Sequence, residues 1–249
     1  MSQLLKIREF AILLAVKNIK PNIHTLEFFK YTNTISNDWE LARQPIYKNN
    51  VSQLIFTNGV SIVVETNRVM FLEIVEDKAV SDITIPDIAR KYVDTLSNAE
   101  YEGIGINYRG YVPFNQEQDS AYKYLTQTLL SKGTWQEIGN APMRASLNLS
   151  YQMENCQLLL GVTDTALQLP EKTSIPALIF SGSFSYEITG ENVSERKKNL
   201  HQAIDNWQVD LNVYQETINT KFVPSTSTST STSENTTEIS DLFVIGAAT

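Results

Sequence analysis

A chain of 249 residues with 20 Lys and Arg against 28 Asp and Glu carries a formal net charge of −8. It therefore lacks the basic footprint that phosphate neutralisation needs, and neither a nucleic acid nor an anionic membrane surface is an expected partner. Its 42% of hydrophobic residues suffices for one large core or two small ones, while a lone cysteine, Cys156, and two histidines, His24 and His201, exclude an intrachain disulfide and a histidine-rich metal site.

In chain order, Ile7 to Val16 reads as a first buried strand. Its apolar run, Phe10 to Val16, falls far short of the roughly 20 residues that span a bilayer and has no small-residue cleavage site after it, so the cytoplasm is the expected location. Residues 22 to 47 fit helix and strand equally. Val51 to Thr57, Val60 to Thr66 and Val69 to Val75 read as a three-stranded meander, with Asn58-Gly59 expected as a type I′ turn and Asn67-Arg68 as the next turn. Pro86 to Ser97 reads as a helix with Pro and Asp87 in its first turn. Tyr101 to Val112 reads as a long strand whose glycines mark a bulge or a close backbone approach.

A second helix is expected over Gln116 to Ser131, stopped by Gly133. Met143 to Tyr151 and Gln157 to Val162 follow as a strand pair, then a strand from Ile175 to Ile188 that bends at Gly182. Ser194 to Thr220 is expected as one long helix, with Leu200, Ile204, Trp207, Leu211, Tyr214 and Ile218 spaced 4, 3, 4, 3, 4 as in a heptad seam. That stripe packs either on the sheet or against a second subunit.

The composition breaks at Pro224. Residues 224–238 are a Ser/Thr-rich tract unable to bury apolar area, expected as a disordered linker, and 239–249 turn apolar again. The fold class is thus α+β: antiparallel sheet or sheets in two similar halves with helices on one face, a long C-terminal helix and a disordered tail. The globular unit is 1–223, with halves at about 1–112 and 113–223.

Two stretches carry a resemblance. Glu102-Gly-Ile-Gly-Ile-Asn-Tyr-Arg-Gly-Tyr111 is a strand after a helix. Ala177-Leu-Ile-Phe-Ser-Gly-Ser-Phe184 precedes the helix bearing Leu200 and Trp207. The order resembles a sporadically distributed family of uncharacterised bacterial proteins of about 250 residues, with a Gly-Leu-Arg-Tyr-type mid-chain strand and a long C-terminal helix. Asn107 stands where that family has arginine. The resemblance implies a fold type and no catalytic residues.

Chemistry is sparse. There is no phosphate loop, and Gly103-Ile-Gly105 has its next glycine at 110 with no helix starting there, unlike a dinucleotide fingerprint. Ser181-Gly-Ser183 is no nucleophile elbow, and Cys156 would need His24 or His201 beside it. Glu73, Glu76 and Asp77 are expected as solvated strand-end acids, and Arg196-Lys197-Lys198 opposes the helix dipole unless acids elsewhere pair with it.

The expected function is a non-enzymatic interaction module with no catalytic, metal or cofactor-binding residues. Its partner is a protein or a second copy, reached through Leu200, Trp207, Leu211 and Tyr214 and through a tethered docking peptide, Leu242, Phe243, Val244 and Ile245. The alternative is an enzyme or small-ligand protein with a site around Tyr101, Tyr108, Arg109 and Tyr111, where aromatic rings could stack a base or ring.

Overall fold

Lys6–Val16 carries an unbroken apolar run from Phe10 and forms β1, with Phe10, Ile12, Leu14 and Val16 buried on one side. A computed structural model describes residues 4–114, 117–168 and 174–223 of this chain. The expected linker 224–238 and the peptide 239–249 lie outside the described residues. The remaining strands are β2 (Ile46–Lys48), β3 (Val51–Ile55), β4 (Val60–Glu65), β5 (Arg68–Ile74), β6 (Tyr101–Pro113), β7 (Ser146–Gln152), β8 (Gln157–Gln168) and β9 (Ser174–Glu187). They join in one nine-stranded antiparallel sheet of order β2-β3-β4-β5-β1-β6-β9-β8-β7. The protein is α+β, with α1 (Leu26–Tyr31), α2 (Ile85–Thr95), α3 (Ser120–Lys123), α4 (Val193–Asp205) and α5 (Trp207–Thr217).

The two strands that begin element runs, β1 and β6, lie side by side at the centre. β1 is followed by α1, the meander β3-β4-β5 and α2. β6 is followed by α3, the meander β7-β8-β9 and then α4 and α5. The core forms where these runs meet. Phe10 stacks on Tyr108 at 5.0 Å and on Trp207 at 5.2 Å, and Tyr108 stacks on Tyr214 at 5.6 Å. In α2, Tyr92 meets Phe71 edge to face at 5.4 Å. Each fully buried aromatic or aliphatic side chain of this kind contributes about 1.5–3 kcal/mol.

Glycine is required at two places along these strands. A Cβ on Gly182 would stand 2.7 Å from Tyr214 Cδ2, and one on Gly110 2.6 Å from the Lys6 carbonyl oxygen. Opposite Gly110 the β1–β6 register shifts between Ile7 and Glu9, so Gly110 is a close approach that faces a bulge in β1.

Several expectations need correction. The β3–β4 turn is not type I′, since Gly59 (φ 84°) has positive φ and Asn58 does not. Phe56 N–H donates to Val60 O and Gly59 N–H to Phe56 O, the pattern of a three-residue loop closed by a left-handed glycine. The next loop is Thr66-Asn67, because Glu65 pairs with Arg68. β9 keeps one register with β6 and β8 through Gly182. The helix expected over 116–131 contracts to the single turn of α3 and a π-helical turn, Tyr124–Leu129. There Thr126 and Thr128 disfavour regular helix, and the Thr126 hydroxyl bonds the Tyr122 carbonyl instead. The long last helix is two helices meeting at Asn206, followed by a π-helical turn, Ile218–Phe222. The break falls where the Tyr108 hydroxyl donates to the Trp207 carbonyl. α4 is tied instead to α2, by ion pairs Arg90–Asp205 and Lys197–Asp94.

Glu73 corrects the reading of the meander's acids. It has no exposed surface and accepts from the backbone N–H groups of Thr84 (2.8 Å) and Ile85 (3.0 Å) and from Lys78 Nζ (2.7 Å). Positive charge from Lys78 and the α2 N-terminus replaces water, which is what a buried carboxylate needs.

Candidate functional site

The sheet has two sides, set by side-chain alternation. One row runs Phe10–Tyr108–Gly182–Leu160–Leu149, and the helical rings contact this row and its neighbours. The next row, Glu9–Arg109–Ser181–Gly161–Asn148, belongs to the other side. A basin of about 240 Å³ lies there, and its lining includes Glu9, Ala11, Leu72, Asn107, Arg109 and Ser183.

The basin is positioned by three central strands. β1 contributes Glu9 and Ala11, β6 contributes Asn107 and Arg109, and β9 contributes Ser181 and Ser183. Its floor is low because Ala11, Ser181 and Ser183 carry short side chains, and Leu72 of β5 lines it as well. Arg109 is 44% exposed and stands 3.8 Å from Glu9, a loose pair that leaves guanidinium donors turned to solvent. The site can therefore take apolar surface in the middle and an acidic or carbonyl group at one end.

The four residues singled out on the β6 strand do not converge. Tyr101 sits at the strand's start, with its hydroxyl donating to the Leu96 carbonyl. Tyr108 is buried against Phe10 and Tyr214. Tyr111 is buried in a small cluster with Leu167, Ala177 and Ile179 and donates to Glu76 Oε1 at 2.5 Å. Burial raises the hydroxyl pKa of all three above the usual tyrosine range, so they remain neutral donors. Arg109 alone opens into the basin with its side chain; Tyr108 borders it only where its backbone passes.

The helical seam is likewise internal. Leu200, Trp207, Leu211 and Tyr214 are all buried, and the Tyr214 hydroxyl donates to the Phe180 carbonyl of β9. These side chains pack on their own sheet and offer no surface to a second subunit. Leu242, Phe243, Val244 and Ile245 lie outside the described residues.

Elsewhere the titratable groups have structural partners. His24 is fully buried, its Nδ1 2.9 Å from the Lys20 carbonyl and its Nε2 2.9 Å from the Tyr92 hydroxyl. Desolvation lowers its pKa, so the neutral ring donates through Nδ1 and accepts at Nε2. Burial also lowers the pKa of His201, which lies 3.4 Å from Asp94. Burial raises the pKa of Cys156, whose neighbours include Tyr186 and Asp210. The thiol is thus the unreactive form. Arg196 donates to the Tyr101 carbonyl, and Lys197 pairs with Asp94 at 2.7 Å, so two residues of the basic run engage the rest of the fold while Lys198 is exposed. Among the described residues no three of His, Cys, Asp and Glu are grouped to hold a metal ion, and no helix is long and apolar enough to cross a membrane.

Glu9, Asn107, Ser181 and Ser183 were not placed in a common site from the sequence, although a signal was available. Taking every second residue of three strands yields Glu9-Ala11-Leu13-Ala15, Gly105-Asn107-Arg109 and Ser181-Ser183-Ser185, a set smaller and more polar than its alternate. No protein-family model and no curated protein matches this chain.

Proposed function

We propose that this chain is a non-enzymatic protein-interaction module whose sheet is covered by helices on one face and receives a protein partner on the other. The observation that carries this reading is the central basin of short side chains on the side away from Phe10 and Trp207. Contacts of α2, α5 and the Phe222 turn go to Phe71, Phe10 and Phe180, all on the helix side. The opposite side keeps half-buried Leu13, Met70 and Leu72 around Ala11 and Gly105, an arrangement that fits a partner segment with large apolar side chains and an acidic group for Arg109.

In this reading 6–95 and 101–222 are two equivalent halves joined by β1 and β6, a division that moves β6 from the first half to the second. The peptide Leu242–Ile245 is a second contact. Its 14-residue tether, Ser225 to Glu238, has a root-mean-square reach of roughly 20 Å. The chain works in the cytoplasm. A second reading, a small-ligand site, draws on the Glu9–Arg109 pair at 3.8 Å, which would hold a zwitterion.

The test places a photo-crosslinking side chain at Ser183, and at Lys91 on α2 as the control. A protein partner should attach at 183 and not at 91. The variant Leu72→Arg, Asn107→Arg, carrying the crosslinking side chain at 183, should abolish that attachment and still melt cooperatively, since both positions are half-buried in the basin lining. Equal attachment at both positions would remove the sheet face from consideration. Calorimetric binding of free amino acids that Arg109→Ala eliminates would favour the second reading.

A further inference from the structure

The two edges of the sheet are built differently. β2, at one end, has three residues, follows Pro45 and contains Lys48, features that discourage another strand from pairing with it. β7, at the other end, has seven residues, Ser-Leu-Asn-Leu-Ser-Tyr-Gln, with no charge, proline or glycine. Among the described residues its one strand neighbour is β8. The hydrogen-bond alternation is fixed by the turn, where Met153 N–H donates to Cys156 O at 2.9 Å. Counting back in twos, Tyr151, Leu149 and Leu147 bond to β8, and Ser146, Asn148, Ser150 and Gln152 direct N–H and C=O groups outward. An edge of this kind is an unguarded template for strand addition.

We propose that a second copy of this chain fills it, β7 pairing antiparallel with β7 of the partner across a two-fold axis through Leu149, so that the two sheets run on as one. The sequence around Leu149 is self-complementary in that register. Leu147 meets Tyr151, and Ala145 meets Met153, extending the helix-side apolar row; Leu147, Leu149 and Met153 are half-buried and Tyr151 is 38% exposed in the single chain. Asn148 meets Ser150 and Ser146 meets Gln152, polar against polar and each directing its backbone groups outward. Beyond the strand ends Arg144 meets Glu154, twice by symmetry, and both are exposed. A register shifted by two residues would set Arg144 against Gln152 or Cys156 and would oppose Leu147 to Leu149 or Met153, so the charge match selects this one. Two-fold pairing of one surface with itself is the commonest route to a dimer.

This inference rests on reading the chain as an interaction module and adds a partner and a place. A single strand edge is smaller than the about 1,200 Å² typical of stable complexes, so the dimer should dissociate in the micromolar range. The experiment is sedimentation equilibrium on the full chain from 1 to 300 μM. A monomer–dimer equilibrium is expected. Arg144→Glu should raise the dissociation constant by roughly tenfold, two ion pairs having become repulsions. Arg144→Glu with Glu154→Arg should restore it. Asn148→Pro removes an outward N–H and leaves the β8 ladder intact, so it should give a folded monomer by circular dichroism. A wild type that stays monomeric at 300 μM, or a dimer indifferent to Asn148→Pro, overturns the proposal. A chain ending at Pro224 should still dimerise; if it does not, the edge belongs to the C-terminal segment. Crosslinking at 183 is unaffected by Asn148→Pro, so failure of the edge and failure of the sheet-face reading can be told apart.

Discussion

Asp210 is a carboxylate at 5% exposure whose two oxygens lie 2.7 and 2.9 Å from one hydroxyl, that of Tyr186. One O–H cannot serve both oxygens at once, so the charged form is short of donors. Burial accordingly raises its pKa to about 6, partly opposed by the Tyr186 hydrogen bond. The sign follows from linkage: a carboxyl that binds its proton more tightly when folded stabilises the fold below its unfolded value near 4, and that contribution is lost as pH rises through about 6. Two pH units correspond to about 3 kcal/mol. Urea unfolding of Asp210→Asn, whose amide keeps the Tyr186 bond, should therefore give a variant more stable than wild type at pH 7.5. The gap should shrink toward zero at pH 4. A pH-independent gap would mean that the Asp210 carboxyl is already solvated.

At the scale of elements, the seam Leu200–Ile218 had two readings, and burial decides between them. Trp207 lies over Phe10, and Tyr214 fills the space left by Gly182. Trp207→Ala should cost about 3–5 kcal/mol, the usual loss for a large aromatic in a core. Trp207→Glu with Leu211→Glu should abolish cooperative unfolding and leave no folded monomer, because each carboxylate would be buried without a partner. A native-like melt of that double variant would place α5 at the surface. Gly182→Ala should also destabilise, since Tyr214 has to withdraw from a Cβ at 2.7 Å. The spacing 4, 3, 4, 3, 4 defines an apolar stripe equally well for a partner helix and for a sheet. What decides is the twisted surface offered by β6 and β9, assembled from strands about 70 residues apart.

For the whole molecule, the proposed division into halves makes the β1–β6 ladder the joint. Its register runs from Lys6 opposite Tyr111 to Val16 opposite Tyr101, and Trp207 crosses it to stack on Phe10. Residues 1–98 and 99–249 produced as separate chains should each fail to give a near-ultraviolet dichroism signal, because each bares one side of that joint. Mixed, they should recover it. Independent folding of either piece would show that the joint is a linker between self-sufficient domains.

The sequence by itself determined the strands and the antiparallel class. The apolar run Phe10–Val16, the alternation in Met143 to Tyr151 and the chain reversals expected at 58–59 and 67–68 are local properties that the final fold keeps, with the reversals falling at 57–59 and 66–67. The helix expected over 86–97 was equally legible from Pro86, Asp87 and its apolar spacing, and it spans Ile85–Thr95. Tertiary structure alone decided the rest. Alternation says that a strand has two faces; which side chains meet Tyr92, Trp207 and Tyr214 depends on where α2 and α5 land. The burial of Glu73 depends on an α2 N-terminus 12 residues away, and the break at Asn206 adjoins the Trp207 carbonyl, taken by a hydroxyl 99 residues earlier. Tyr101, Tyr108 and Tyr111 are neighbours in sequence yet part company in space, because the β-pleat sets Tyr108 and Tyr111 on opposite sides and the register shift between Ala15 and Val16 falls beside Tyr101 at the strand's end. Contacts that close long loops are set by the entropy and packing of the whole chain, and a local window carries no record of them.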